Sequence, residues 1–202
     1  FMIPQRHDHS AVGLLGGSFN PAHGGHREIS LLALKRLQLD AVWWLVTPAN
    51  PLKEMGAYAP YEERLKQARR MADHPRIVVS NFEERKGLQY TVDTIEMLQE
   101  LWPQMRFVWL MGADGLATFD QWKDWRRIFS LLPIAVFARP GYEAAAAESE
   151  AAREFSAFRA DDAEALSLAR AEPPAWTLFS ETANPASSTE LRRSASKSPR
   201  PT

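Results

Sequence analysis

Residues 16–26 read GGSFNPAHGGH and place His23 and His26 three positions apart, just after a glycine-rich turn. Side chains at this spacing share one face of a helix, and the stretch holds no carboxylate or cysteine to share a metal with them. Glycines let backbone N–H groups approach a polyphosphate, and a helix N-terminus adds about half a positive charge. Either histidine alone could instead bond to nearby backbone. We expect the pair together to face phosphates.

Two common phosphate-binding motifs are absent from this stretch. Its spacing fits neither GxGxxG, the fingerprint of dinucleotide-binding turns, nor GxxxxGK[ST], the phosphate-binding loop of many nucleoside triphosphatases. Two glycines after a strand are weak evidence when taken alone. The hypothesis of an anion site therefore rests on the histidine pair.

The composition limits where such a site can draw its charge. The chain has 202 residues, a net charge of -1 and no cysteine, which excludes disulfides and thiolate metal sites. A nearly neutral protein has no general attraction for nucleic acid or anionic lipid, so anion binding must be local. No apolar run approaches the roughly 20 residues that cross a bilayer, and no secretory signal pattern opens the chain. We expect a cytoplasmic protein without nucleic-acid or membrane partners.

The elements that must position the histidines alternate along the chain. Apolar runs predict strands at 11–15, 41–47, 76–80, 105–112, 132–140 and 176–179. Amphipathic spacing predicts helices at 25–39, 61–72 and 91–101. Continuous apolar strands between helices indicate a parallel sheet covered on both faces. The predicted fold class is therefore α/β, a doubly wound parallel sheet whose ligands bind beyond the carboxyl ends of the strands.

The pattern divides the chain into one domain with a helical insertion and two tails. Residues 143–174 are rich in Ala and Glu and predict one or two surface helices, which we interpret as a solvated spacer in preference to a mobile cover. We expect a flexible N-terminal tail at 1–10, a domain at 11–193 and a flexible C-terminal tail at 194–202.

Six segments resemble one enzyme family in the same order along the chain. GGSFNPAHGGH (16–26) is similar to the signature of the HxGH nucleotidyltransferases, and SSTELR (187–192) to the second signature of that superfamily. MGADGLATFDQW (111–122) resembles a segment of the bacterial nicotinate-nucleotide adenylyltransferases. The remaining likenesses to that family are TPANPLK (47–53), YTVDT (90–94) and ARPGY (138–142).

The resemblance implies a Rossmann-like nucleotidyltransferase fold and a reaction of NAD biosynthesis. ATP and nicotinate mononucleotide would give nicotinate adenine dinucleotide and pyrophosphate, with Mg²⁺ carried on the ATP phosphates. The mononucleotide phosphate would attack the α-phosphorus in line, a transfer that needs positioning and charge neutralisation more than a protein nucleophile. The resemblance also implies a homo-oligomer as one candidate assembly.

The resemblance implies a role for each residue that matches its motifs. The implied catalytic residues are His23, His26 and Arg192. The implied ATP-binding residues are Gly16, Gly17, Ser18, Phe19, His23, His26, Gly112, Asp114, Arg139, Ser188, Thr189 and Arg192. The implied nicotinate-nucleotide-binding residues are Lys53, Tyr90, Thr91 and Trp122.

Ordinary structural roles stay open for several of these residues. Ser188 and Asp114 could each cap a helix, and Trp122 could belong to the core, since the chain holds 7 tryptophans. Lys53 and Arg139 could be solvated surface cations. The residues alone do not choose between these roles and ligand binding.

Three other functions compete with the one that the resemblance implies. A pantetheine-phosphate adenylyltransferase would share the phosphate-binding parts, but Gly16-Gly17 and the MGAD segment at 111–114 argue against it. An enzyme for nicotinamide mononucleotide would differ by one charge on the acceptor. A nucleotide-binding module without catalysis would not need both histidines and Arg192.

Overall fold

The structure is a computed structural model that describes residues 10–48 and 58–180. Its centre is a single six-stranded sheet in which every neighbouring pair is parallel, in the order β3-β2-β1-β4-β5-β6. The strands are β1 Ala11–Gly17, β2 Ala41–Val46, β3 Ile77–Ser80, β4 Arg106–Gly112, β5 Ile134–Phe137 and β6 Trp176–Phe179. The prediction of a doubly wound parallel α/β sheet is confirmed.

Helices follow the strands and cover both faces of the sheet. The longer ones are α1 Gly24–Arg36, α2 Tyr61–Ala72 and α4 Thr91–Leu101. The shorter ones are α3 Phe82–Lys86, α5 Ala113–Ala117, α6 Trp125–Leu131, α7 Glu143–Ala147 and α8 Glu150–Glu154. Three 3₁₀ segments complete the described elements, at Phe119–Gln121, Ser156–Phe158 and Asp162–Arg170. None of the helices described here has both the length and the apolar character needed to cross a bilayer.

Alternation along the strands divides the core between the two faces. Trp43 belongs to the layer under α4 and α6, and its neighbour Trp44 to the layer under α1 and α2. Successive side chains of a strand point to opposite faces, so a strand covered on both sides must be apolar at consecutive positions. This requirement explains why the strands were visible in the sequence as uninterrupted apolar runs.

The predicted boundaries agree best where a strong periodic pattern is bounded by a turn. Helices α2 and α4 and strand β6 have the predicted limits. Strand β5 is shorter than the predicted 132–140, because a strand-ladder N–H is missing at Pro133 and the chain turns at Pro140. Helices α3, α5 and α6 were not predicted, since each is too short for a clear helical period.

The insertion at 143–174 packs closely against the sheet. Ala151 of α8 is buried on the α4 side of the sheet and Leu168 of the last 3₁₀ segment on the α1 side. Between them the Ala160 N–H donates to the carbonyl of Trp176 at 2.7 Å, so the chain runs along the outer edge of β6. The segment therefore covers a sheet edge, which would otherwise expose unpaired backbone groups. The two tail predictions fall almost wholly outside the described residues.

Candidate active site

A cleft opens where the strand order changes direction, between β1 and β4. Strand β1 leads into α1 on one face of the sheet, and β4 leads into α5 on the other. Loops diverge at such a switch point and leave room for a ligand beyond the carboxyl ends of the strands. The cleft has a volume of about 290 Å³. Its polar and glycine lining residues are Gly16, His23, Gly25, His26, Glu28, Gly112, Asp114, Gly115, Arg139 and Tyr142.

The side of the cleft formed by residues 16–26, called the β1 wall here, is built on reciprocal hydrogen bonds. His23 is the N-cap of α1, and its Nδ1 accepts from the Gly25 N–H at 3.0 Å. The His23 N–H donates to Nδ1 of His26 at 3.1 Å. Each imidazole thus satisfies a backbone donor that the start of a helix would leave unpaired.

These bonds fix which nitrogen of each neutral ring carries the proton. An Nδ1 that accepts a hydrogen bond carries no proton, so a neutral ring has its proton on Nε2. The two rings are stacked, with centroids 3.8 Å apart and planes at 26°. Burial, together with the nearby charge that a protonated His23 would carry, lowers the pKa of His26 to about 3. The capping and the ligand-facing interpretations of the pair, treated above as alternatives, are therefore compatible.

Aromatic rings support His26 from behind. The Phe19 ring lies 4.5 Å from His26 and is stacked 5.0 Å from Trp44, centroid to centroid. Trp44 Nε1–H donates to Ser30 Oγ at 2.7 Å, and the Ser30 hydroxyl donates to the His26 carbonyl at 2.8 Å. Phe19 as a whole is only 1% exposed and is absent from the lining of the cleft described here, so its implied ATP contact stays a prediction.

The two glycines that begin the motif have different surroundings. A Cβ on Gly16 would lie 2.6 Å from Cη2 of Trp109, whereas a Cβ on Gly17 would meet only the Phe19 ring, at 3.8 Å. Gly16 is therefore required by a tryptophan ring that crosses it, a packing reason that the sequence did not suggest. The Trp109 indole N–H is buried without an acceptor among the described residues.

The opposite side of the cleft, called the β4–β5 wall here, consists of Asp114, Trp122, Arg139 and Tyr142. Arg139 Nη2 lies 3.9 Å from Asp114 Oδ2, and the Asp114 side chain is 83% exposed. The Arg139 guanidinium also lies 4.7 Å from the centre of the Tyr142 ring. An ion pair of this length with an exposed carboxylate contributes little to stability, so the Asp114 side chain can adjust to a ligand.

Trp122 both lines the cleft and packs against rings of the core. Its ring meets Trp109 edge-on at 6.3 Å and Phe119 at 4.8 Å, centroid to centroid. The side chain is partly buried and lines the cleft. This position is compatible with either interpretation offered for Trp122, and its contact with a ligand stays a prediction.

Tyr90 and Thr91 stand at the start of α4 and are absent from the lining of the cleft described here. Tyr90 is 41% exposed, and Lys123 Nζ lies 4.7 Å from the centre of its ring. Four implied site residues, Lys53, Ser188, Thr189 and Arg192, lie outside the described residues. Within 10–48 and 58–180 there is no group of three or more His, Cys, Asp or Glu arranged to hold a metal ion.

Sequence reasoning missed Arg64, a buried arginine on α2 whose guanidinium donates to the carbonyls of Ser18 and Thr47 at 2.7 Å each. A signal was present. Arg64 falls among Leu65, Ala68 and the other buried positions of an amphipathic helix, where a charged residue is unusual.

The strand order and the cleft at its switch point define a Rossmann-like protein of the nucleotide-binding class. The family model described as cytidylyltransferase-like matches residues 14–194, and the chain belongs to this family.

Curated relatives and solved structures indicate which enzymes of this family the chain is similar to. The chain is 50% identical over 181 residues to a protein of Methylorubrum extorquens (strain PA1), and 51% over 182 residues to one of Ruegeria sp. (strain TM1040); both are named "probable nicotinate-nucleotide adenylyltransferase". The first alignment covers 90% of this chain and 98% of the relative, the second 90% and 96%. The structure of Plasmodium falciparum nicotinic acid mononucleotide adenylyltransferase complexed with NaAD has a TM-score of 0.68 at 14% identity, covering 91% of this chain and 83% of that one. At that identity the structural likeness concerns the fold alone.

Proposed function

We propose that this chain is a nicotinate-nucleotide adenylyltransferase, an enzyme that transfers the adenylyl group of ATP to nicotinate mononucleotide. The observation that carries the proposal is the His23–His26 pair, two stacked rings whose Nδ1 atoms accept backbone N–H groups at a helix start in the switch-point cleft. The acceptor follows from relatives of that name that are half identical over nine-tenths of the chain. The resemblance of six sequence segments to this enzyme family agrees with the histidine pair and with the names of the relatives.

The β1 wall holds the triphosphate. His23 and His26 donate from Nε2 to phosphate oxygens, and the N-terminus of α1 adds the partial positive charge of its peptide dipoles. The phosphate of the acceptor attacks the α-phosphorus, the bond from that phosphorus to the β-phosphate oxygen breaks, and pyrophosphate leaves. Negative charge moves toward the leaving group, where donors fixed beforehand need no reorganisation.

The β4–β5 wall selects and orients the substrates. Trp122 offers a ring face for stacking on the pyridine, and Asp114 can accept from ribose hydroxyls. Arg139 supplies a cation that can leave its 3.9 Å partner for a phosphate. Lys53, Thr91, Ser188, Thr189 and Arg192 keep the roles that the family resemblance implies, as part of the proposal.

Mg²⁺ enters the proposal as part of the substrate, bound to the phosphates of ATP. Asp114 and Glu28 are carboxylates in the lining of the cleft, and their chemistry suits a hard cation. Cytoplasmic location, the absence of nucleic-acid and membrane partners, and a homo-oligomeric assembly stay predictions.

The proposal is tested by comparing acceptors. Purified chain is incubated with ATP, Mg²⁺ and one of nicotinate mononucleotide, nicotinamide mononucleotide or 4′-phosphopantetheine, while pyrophosphate release and product are followed. We expect the highest kcat/KM with nicotinate mononucleotide and formation of nicotinate adenine dinucleotide. A higher kcat/KM with either other acceptor would overturn the substrate assignment, and no release with any of them would overturn adenylyl transfer.

A further inference from the structure

Arg64 is a buried cation in a protein whose mechanism does not otherwise use it. It lies on α2 with a relative exposure of 1%, and no described carboxylate forms an ion pair with it. A buried charge is expensive unless its donors are satisfied. An apolar residue at this core position would avoid that cost, so the arginine needs another explanation.

Backbone carbonyls satisfy the Arg64 guanidinium. Nε donates to the Ala59 carbonyl at 3.0 Å, Nη1 donates to the carbonyls of Ser18 and Thr47 at 2.7 Å each, and Nη2 donates to that of Pro48. These carbonyls follow β1, follow β2 and precede α2. A single side chain thus fastens three segments at the carboxyl edge of the sheet.

Aromatic rings enclose the same guanidinium. Its Cζ lies 5.1 Å from the ring centres of both Tyr58 and Tyr61, within the range of cation–π attraction. The Tyr61 hydroxyl donates to the Val46 carbonyl at 2.9 Å. The Arg64 guanidinium is therefore held in one position and can fix the positions of the carbonyls that it binds.

Thr47, which follows β2 and binds Arg64 through its carbonyl, is itself held by hydrogen bonds. The Thr47 N–H donates to the Gly17 carbonyl at 2.9 Å, and the Thr47 hydroxyl donates to Glu83 at 3.2 Å. Glu83 also accepts from the Thr94 hydroxyl at 3.0 Å. The Thr47 carbonyl that Arg64 binds is thus tied to both β1 and α4.

The segment that Arg64 fastens after β1 contains an unfavourable backbone conformation. Phe19 has φ of 48°, in the left-handed region that bulky residues rarely occupy. Such conformations persist only where surrounding contacts impose them, and they concentrate at functional sites. Here the preceding carbonyl is held by Arg64, and the ring is held between His26 and Trp44.

We propose that Arg64 is a positioning residue, which holds the Ser18–Phe19 peptide so that the Phe19 ring supports His26. The inference rests on the proposed adenylyl transfer, since it assigns the β1 wall to ATP. Arg64 touches no substrate and acts through Phe19 and His26. Lysine cannot replace it, because an ammonium group lacks the planar, forked geometry that reaches four carbonyls.

The test compares Arg64→Ala and Arg64→Lys with Arg69→Ala, a control that removes an exposed arginine from the same helix. Melting temperature, the Kd of ATP by calorimetry, kcat, and KM for each substrate are measured well below the melting temperature of each variant. We expect kcat of Arg64→Ala and Arg64→Lys to fall about a hundred-fold, as small misplacements of reacting groups do. Arg69→Ala should match the wild type.

Chemical rescue separates positioning from folding. Guanidinium ion added to Arg64→Ala should restore kcat in part, because it fits the space of the missing group and can bind the same carbonyls, whereas neutral urea should not. A folded variant with lowered melting temperature but normal kcat would overturn the inference, as would equal rescue by urea and guanidinium. If Arg64→Ala does not fold, kcat is compared with melting temperature in Arg64→Lys, which retains the charge.

The calorimetric readout keeps this inference distinct from the proposed function. If the wild type formed no dinucleotide, adenylyl transfer to nicotinate mononucleotide would fail. Weakened ATP binding in Arg64→Ala, with normal binding in Arg69→Ala, would still support the positioning of the β1 wall. Unchanged ATP affinity together with unchanged kcat would reject the role of Arg64, whatever the acceptor.

Discussion

The two walls of the cleft differ in how firmly their functional groups are held. On the β1 wall, His23 and His26 cap one helix reciprocally and stack on each other, and the His26 ring packs against Phe19. On the β4–β5 wall, Asp114 is 83% exposed and meets Arg139 at 3.9 Å. One wall has its geometry before any ligand arrives, and the other can adapt to one.

This difference suits the two tasks of adenylyl transfer. Stabilising the charge of a transition state requires donors that are fixed in advance, since reorganisation during the reaction would cost part of their effect. Recognising a substrate tolerates side chains that settle on binding. Changes to the β1 wall should therefore alter kcat, and changes to the β4–β5 wall should alter KM.

The largest expected effect comes from His26→Ala. It removes a donor to the phosphates and the Nδ1 that accepts from the His23 N–H, so we expect kcat to fall about a hundred-fold or more. ATP affinity should change much less. The control is His74→Ala, which removes a histidine ring that accepts from the nearby Arg76 N–H. An unchanged kcat for His26→Ala would reject the catalytic role of the β1 wall.

Two glycine substitutions, at the ends of β1 and β4, are compared by their effect on the free energy of unfolding. Gly16→Ala puts a methyl group 2.6 Å from Trp109 and should lower the free energy of unfolding by about 1–3 kcal/mol. Gly112→Ala, whose new Cβ would lie 3.8 Å from the nearest atom, should stay within about 0.5 kcal/mol. Urea denaturation measures both. If Gly16→Ala lowered the free energy of unfolding as little as Gly112→Ala, the Trp109 ring would be able to move aside at small cost.

Substitution of two tryptophans tests the β4–β5 wall. Trp122→Ala should raise KM for nicotinate mononucleotide about ten-fold and leave KM for ATP nearly unchanged, since ring stacking contributes about 1–3 kcal/mol. Trp125→Phe alters a core ring that is 7% exposed and should lower the melting temperature without changing either KM. If Trp122→Ala changed only the melting temperature, Trp122 would be a core residue.

A further effect is a dependence of stability on pH. Because the pKa of His26 is lowered from 6.5 to about 3 in the folded protein, the unfolded chain binds the extra proton first. The contribution is therefore complete above pH 6.5 and is lost as pH falls toward 3, by about 1.4 kcal/mol per unit. His26→Asn should remove this part of the slope in urea denaturation. Parallel slopes for the two proteins would contradict the lowered pKa.

Local patterns predicted the fold and one wall of the cleft. Apolar runs and helical periods located the six strands and the three longer helices, because burial on both faces of a parallel sheet leaves a mark in every strand. The spacing of His23 and His26 placed both rings on one helix start. These features depend on neighbours a few positions away.

What sequence reasoning missed depends on contacts between distant segments. Gly16 is a glycine because of the Trp109 ring on another strand, and Arg64 is charged because three loops meet around it. The Ala- and Glu-rich insertion resembles a solvated spacer, yet it buries Ala151 and Leu168 on opposite faces of the sheet. No periodicity within one segment records such partners.

The most direct test of the account is the protonation state of the histidine pair, read from long-range ¹H–¹⁵N spectra of the imidazole rings. Variants at position 26 assign its signals among the 5 histidines. We predict that both rings carry their proton on Nε2 when neutral, and that His26 stays neutral down to about pH 5. A His26 ring that is protonated on Nδ1, or that titrates near 6.5, would contradict the claim that the β1 wall presents fixed neutral donors.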